Sequence, residues 1–424
     1  MNLFVALAVV LALACLFGMI ARRLGQPPVV GEILAGILLS ATVLPASVGH
    51  YLVPIGAKPL LSALANVGLA TFMFIVGYEI DSVLLRGRVR KAAGLAAGSV
   101  LVPLISGILL ALLLADRYAE DDHLAFVLFV GVAMSVTALP VLSRILAETG
   151  LDRLPIGAVT LTAAAIGDVI AWGCLAAVTA VAGGSGQWHA ALLPVYALIL
   201  FGIVRPVMGR LLISAQANGQ PTATLLPILA VGLTLSCAAT EWLGFHFIFG
   251  AFAFGVVLPR TGLERIRGIV IDRMDGAGAL LVPLYFVLAG MNVTLAQFDL
   301  TALAVLVAVV AIATGSKALG AYLGSRLSGA TRSDALVFSV LMNTRGMTEI
   351  VILTVGLDLQ LMDRTLYSMM VLMAVLTTAM TGPLLTSLRK YLPGAATWTM
   401  LNAKQEQLRT KRGRSEDAIP YGSL

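Results

Sequence analysis

The run that decides the fold is residues 155–182, PIGAVTLTAAAIGDVIAWGCLAAVTAVA, in which Asp168 is the only charged side chain. As a helix rising about 1.5 Å per residue, it outreaches the ~30 Å hydrocarbon core of a bilayer. Peptide groups crossing that layer find no water, so the run is predicted to be a transmembrane helix. Asp168 lies 13 residues after Pro155, which places it close to the bilayer centre.

The rest of the chain has the same character. Of 424 residues, 59% are hydrophobic and 12% charged, where a soluble domain has roughly 45–50% and 25%. A mean hydropathy of +0.96 leaves too little polar surface to cover a water-soluble fold. Apolar runs bounded by charge, Pro or Gly predict about thirteen spans, at 2–20, 28–44, 59–78, 92–115, 124–146, 155–182, 190–213, 222–241, 244–259, 276–291, 300–324, 334–357 and 364–388. The first run carries Arg22 and Arg23 after its apolar residues rather than before them, so it reads as a retained span and not as a signal peptide. Cys15, Cys174 and Cys237 have neither metal-ligand spacing nor a disulfide framework and read as small core residues. The net charge of +6 reads as loop charge that sets orientation, not as a nucleic-acid footprint.

With the N-terminus outside, sixteen Lys and Arg fall in inward segments and seven more in the tail from Arg389. Only Lys58, Arg117 and Arg364 fall in outer loops. This bias predicts an N-out, C-in arrangement. Spans one to six then start outside and spans eight to thirteen start inside. They form two six-helix repeats, about 1–182 and 222–388, of inverted topology, with a linker helix at about 190–213. Exchanging the conformations of two such repeats exposes one site alternately to each side. No sequence identity marks the repeat, and the inference is topological. The transmembrane domain is expected to occupy 1–390, and the hydrophilic tail, 391–424, to be disordered in the cytoplasm.

The fifth span of each repeat is interrupted, by SVTALP (135–140) and by MNTRGM (342–347). Pro140 removes a backbone donor and Gly346 loosens the chain, so both spans are predicted to unwind near the midplane. Matching interruptions in corresponding spans are the best pointer to a transport site.

Charge inside a bilayer costs roughly 2.5–3.5 kcal/mol per residue on insertion scales, so the few buried ionisable groups are functional candidates. A lone carboxylate at Asp168 can hold a metal cation or a proton but not both well, and that competition is exchange chemistry. The alternative is a carboxylate paired for packing alone. Arg345 and Glu349, four apart on one helix face, read first as a structural ion pair. Arg345 also suits the negative end of a broken helix. Lys317 either pairs with Asp168 or donates to carbonyls freed at the breaks. Ser135 and Thr137, at the first interruption, offer hydroxyls to a hard monovalent cation, although such residues also serve as ordinary helix-packing contacts. Glu32, Glu79 and Asp81 fall at inner helix ends, as interfacial anchors or entry charges. His246 lies near the outer surface without metal-site partners, and the sequon at Asn292 is assigned no role.

By these residues the chain resembles the monovalent cation:proton antiporter-2 family, the Kef-type and plant CHX-like exchangers with the sodium/proton-antiporter fold. PPVVGEILAGILL, FMFIVGYEID, AMSVTALPVLSRIL, GDVIAW, PLYFVLAGMNV and NTRGMTEIVIL stand in the family's order and cover nearly all of 1–390. The resemblance implies exchange of Na⁺ or K⁺ for H⁺ in a homodimer, with crossed broken helices around the site. It implies an ion-binding carboxylate at Asp168, a crossover at Thr137 to Pro140 and at Asn343, Thr344, Arg345 and Gly346, and the family's buried lysine at Lys317. Two departures stand out. Electrogenic members resemble this chain but carry two adjacent carboxylates, whereas Gly167 precedes Asp168 here, which points to electroneutral exchange. The regulatory nucleotide-binding domain of gated potassium efflux systems is not expected, because no strand–Gly-rich–helix pattern follows the last span.

The expectation is therefore an all-α polytopic antiporter in a prokaryotic plasma membrane. It is not an enzyme, needs no cofactor, and acts on monovalent cations and protons. Rival readings are a sodium-coupled symporter for an organic solute and a channel-like K⁺ efflux protein. An intramembrane aspartyl protease would need a second facing carboxylate, and no second Asp lies at membrane depth.

Overall fold

The computed structural model of the chain describes residues 3–40, 52–79, 89–120, 122–151, 154–182, 192–217, 222–260, 263–294 and 298–388. Asp81 and the tail lie outside these residues. Among the described residues the regular structure is entirely helical.

The first half contains α1 (Leu3–Arg23), α2 (Pro28–Leu39), α3 (Lys58–Glu79), α4 (Val89–Tyr118), α5 (His123–Ser135), α6 (Leu139–Thr149) and α7 (Pro155–Ala182). Next, α8 (Leu193–Ile199) continues through a π-helical turn at Leu200–Val204 into α9 (Arg205–Ala217). The second half contains α10 (Thr222–Trp242), α11 (Phe247–Val257), α12 (Glu264–Met291), α13 (Leu300–Leu327), α14 (Arg332–Leu341), α15 (Met347–Asp358) and α16 (Arg364–Ser387). By length and composition eight of these are able to cross a membrane, or nine when α12, bent by 47° between Arg265–Gly276 and Gly278–Met291, counts as one span. Large side chains such as Leu113, Leu198, Leu300 and Leu327 are exposed, as expected of helices solvated by lipid.

The packing maps onto itself when the halves are exchanged. α1 packs on α2 as α10 packs on α11, and α2 meets α12 as α11 meets α3. α4 packs on α5 and α7 as α13 packs on α14 and α16, and α4 and α13 pack on each other. Two bodies result. A panel holds α1–α3 with α10–α12, and a bundle holds α4–α7 with α13–α16.

Lipid tails are as apolar as Leu, so helix association depends on close backbone approach and small residues mark the contacts. A Cβ at Gly36 would overlap the Val287 carbonyl, and one at Gly290 would overlap the Ile33 carbonyl. The exchanged contact repeats this, with Gly77 against Phe252 and Gly255 against Phe74. Glycine spacing recurs between the two halves where residue identity does not. GEILAG (31–36) on α2 matches GAFAFG (250–255) on α11, and GLAAGS (94–99) on α4 matches GAYLGS (320–325) on α13.

Candidate functional site

Both predicted interruptions are real breaks. α5 ends at Ser135, Val136 is extended (φ −68°, ψ 146°), and α6 begins at Leu139. Pro140 thus stands in a first turn, where its missing N–H breaks no helical bond. α14 ends at Leu341 and α15 begins after Gly346. There the backbone takes φ +153°, which favours glycine, and a Cβ would stand 2.9 Å from the Val141 side chain.

The two breaks are joined to each other. The Ala138 N–H donates to the Thr344 carbonyl at 3.1 Å, and the Thr137 hydroxyl donates to the Met342 carbonyl at 3.4 Å. The Ser135 hydroxyl donates to Val132 within its own helix at 2.7 Å. Both hydroxyl oxygens keep lone pairs for a ligand.

Three successive carbonyls close α5 at the negative end of its dipole. Each accepts from a buried cation. Arg345 Nη1 donates to Ala133 O at 3.3 Å, Arg345 Nη2 to Met134 O at 2.7 Å, and Lys317 Nζ to Ser135 O. Arg345 Nη1 also donates to Glu349 Oε1 at 2.6 Å, and both side chains are wholly buried. The ion pair read from the i, i+4 spacing is thus formed. The two alternatives for Lys317 resolve toward the carbonyl.

Asp168 lies midway along α7, 1% exposed, and neither carboxylate oxygen has a hydrogen-bond partner. The side-chain N and O of Asn343, the hydroxyls of Thr344 and Thr348, and Glu349 Oε2 are likewise buried and unpartnered. Buried polar groups are normally satisfied. These unpartnered groups sit on α7, α15 and the second break, and α7 packs against α5, α6 and α14, so together they make the candidate site.

Thr378, on α16, is the residue that sequence reasoning missed. Its hydroxyl accepts from the Arg345 N–H at 3.1 Å and donates to the Arg345 carbonyl at 2.6 Å, fixing the peptide within the second break. The available signal was the hydroxyl cluster Thr377, Thr378 and Thr381 inside an apolar span. The remaining candidates stand apart from the crossing. Glu32 is buried in α2, near Gly18 of α1. Glu79 is exposed at the end of α3, where its carbonyl accepts from Arg267 at 3.2 Å. His246 precedes α11 and lines a small cavity with Asp358. A cavity of about 690 Å³ lies between Arg90, Lys91 and Asp334 and is lined by none of the crossing residues.

A panel and a bundle of apolar helices, with an unpartnered carboxylate on α7 and two interlocked breaks in the helices it packs against, define a multi-pass membrane protein built around a charged helix crossing. The chain matches the family model "Sodium/hydrogen exchanger, transmembrane" over residues 9–390, and it belongs to that family. It is 34% identical to the Na(+)/H(+) antiporter NhaS4 of Synechocystis sp., covering 89% of this chain and 94% of that protein. It is 34% identical to cation/H(+) antiporter 17 of Arabidopsis thaliana (92% and 48% covered) and 32% identical to K(+)/H(+) antiporter 1 of Saccharomyces cerevisiae (91% and 46% covered). The chain spans about half the length of these plant and yeast relatives. The solved structure of the sodium proton antiporter MjNhaP1 from Methanocaldococcus jannaschii superposes with a TM-score of 0.60 at 17% identity, over 95% of this chain and 99% of that one, a likeness of fold.

Proposed function

We propose that the protein exchanges a monovalent cation, Na⁺ or K⁺, for H⁺ at Asp168 by alternating access. The observation that carries this reading is the unpartnered, buried Asp168 carboxylate on a helix packed against a crossing whose helix carbonyls are already matched by Lys317 and Arg345. Those carbonyls need no ion, so a cation entering is held by Asp168 with oxygens of Thr137, Ser135 and Asn343. A proton on the same carboxyl displaces it. The formal charges of Asp168, Glu349, Lys317 and Arg345 cancel, and replacing one H⁺ by one monovalent cation leaves that balance unchanged. Exchange is therefore electroneutral.

The names of the relatives, which include Na(+)/H(+) and K(+)/H(+) antiporters, support the substrate class. In this reading α2, α11 and the two broken pairs, α5–α6 and α14–α15, also span the bilayer, giving thirteen spans, N-out and C-in. The bundle moves against the panel, and the panel provides the contact of a homodimer in a prokaryotic plasma membrane.

The test is proton flux in proteoliposomes carrying a pH-sensitive dye, pulsed with Na⁺ or K⁺ with the membrane potential clamped and unclamped. Flux evoked by either ion, indifferent to the clamp and abolished by Asp168→Asn in folded protein, is the expected result. Ion-evoked flux persisting in Asp168→Asn would sink the mechanism. No flux in the unmodified protein would favour a solute symporter.

A further inference from the structure

A second polar cavity, about 160 Å³, lies in the seam between panel and bundle, at the end where α3 begins and α12 and α15 finish. α3 contributes Ser62 and Asn66, α12 contributes Tyr285 with Asn292 at its C-cap, and α15 contributes Thr354 and Asp358. None of Asp168, Lys317 and Arg345 lines it. Polar side chains of three helices meet in this one cleft, with Ser62, Asn66 and Asp358 exposed at its mouth and Thr354 and Asn292 half-buried within it, so it is an open polar vestibule.

The donor set narrows the ligand. The lining contains no Lys or Arg, and Asp358 forms no ion pair among the described residues. The cavity thus offers one uncompensated carboxylate, two amide oxygens and two aliphatic hydroxyls, the hard oxygen donors that hard cations take. His246 and Asp358 are its only side chains of the metal-ligating kind, too few for a transition-metal centre. At roughly 30 Å³ per water, the volume suits a monovalent cation carrying part of its hydration shell.

We propose that this seam cavity is a second, one-sided cation site, where a monovalent cation pauses between the outer solution and Asp168. Asp358 supplies the charge, and Asn66 and Asn292 supply amide oxygens. A single carboxylate in a polar cleft raises the local cation concentration on its own face and not on the other. Its walls belong to both bodies, so relative movement of panel and bundle reshapes the site and couples its occupancy to access. The inference rests on the antiport reading above.

Right-side-out and everted membrane vesicles present the cation to one face at a time. Asp358→Asn, which keeps the size of the side chain, is expected to raise the KM for Na⁺ or K⁺ offered at the outer face by about tenfold. The inner-face KM should change less than about twofold, with kcat unchanged. Asn66→Asp adds a second carboxylate and is expected to lower the outer-face KM. Active protein whose KM ignores both substitutions, or moves equally at both faces, overturns the seam site and leaves Asp168 untouched. Unmodified protein without cation-evoked proton flux overturns the antiport reading and the seam site with it.

Discussion

Lys317 donates to the main-chain carbonyl of Ser135, 182 residues earlier in the chain and in its other half. The bond fills the last carbonyl of a helix that ends in the middle of the bundle. Lys317→Met is therefore expected to leave Ser135 O unpaired, at about 1–3 kcal/mol of stability. It also removes a positive charge that repels an incoming cation, so the apparent KM for Na⁺ or K⁺ should fall. A melting curve and a cation titration of proton flux check both arms. Unchanged thermal stability would mean that the carbonyl finds another donor.

Arg345 and Glu349 form the most deeply buried ion pair described, and Arg345 serves two carbonyls besides. Breaking a buried pair from one side costs about 3–5 kcal/mol, because the surviving charge stays uncompensated. Arg345→Met should accordingly be the least heat-stable of the single variants. Glu349→Gln retains an acceptor and should cost less. The double variant Arg345→Met/Glu349→Leu removes both charges and should recover only part of the loss, since Ala133 O and Met134 O still lack donors. Size-exclusion profiles of detergent extracts on heating would rank the three.

How much of this was legible in the sequence depends on distance along the chain. Asp168 was readable because it stands alone in one long apolar helix, and the Arg345–Glu349 pair because its members are four residues apart, although Arg345 lies in the break just before α15 and not on the helix. The breaks were readable because Pro140 and Gly346 act on the backbone locally. The acceptor of Lys317 was not readable, because a lysine in an apolar run gives no sign of which distant carbonyl it reaches. Thr378 looked like one more hydroxyl in a span, and its function exists only where α16 passes the second break. The recurrence of packing between the halves goes with glycine intervals of five and four residues, which residue-by-residue identity does not register.

Thr378 satisfies both backbone groups of Arg345 with one hydroxyl. Thr378→Val keeps the shape and removes both bonds, leaving a buried N–H and C=O at about 1–3 kcal/mol each. Thr378→Ser restores the hydroxyl. If the clamp positions the crossing as well as stabilising it, Thr378→Val at matched amounts of folded protein should raise the KM for the cation with kcat largely preserved. Ser should return the KM to its original value. A loss of stability with an unaltered KM would reduce Thr378 to a structural role.

The reciprocal contact of Gly77 and Gly255 predicts a non-additive pair of variants. A methyl at Gly77 strikes the Phe252 carbonyl on α11, and one at Gly255 strikes the Phe74 carbonyl on α3. These are backbone atoms, so neither clash is relieved by a rotamer change and the two helices must separate. Overpacking of this kind costs about 1–3 kcal/mol. Once α3 and α11 have moved apart to admit the first methyl, part of the room for the second already exists. Gly77→Ala/Gly255→Ala should therefore lose less than the sum of the single losses, by about 0.5–3 kcal/mol of coupling. Gly173→Ala is the matched control, because nothing lies within 4 Å of its Cβ position on α7. There the better helix propensity of Ala should leave stability unchanged or raise it by up to about 1 kcal/mol. Additive losses at Gly77 and Gly255 would show that each methyl is accommodated by its own local shift, and that the contact is not a single rigid seam.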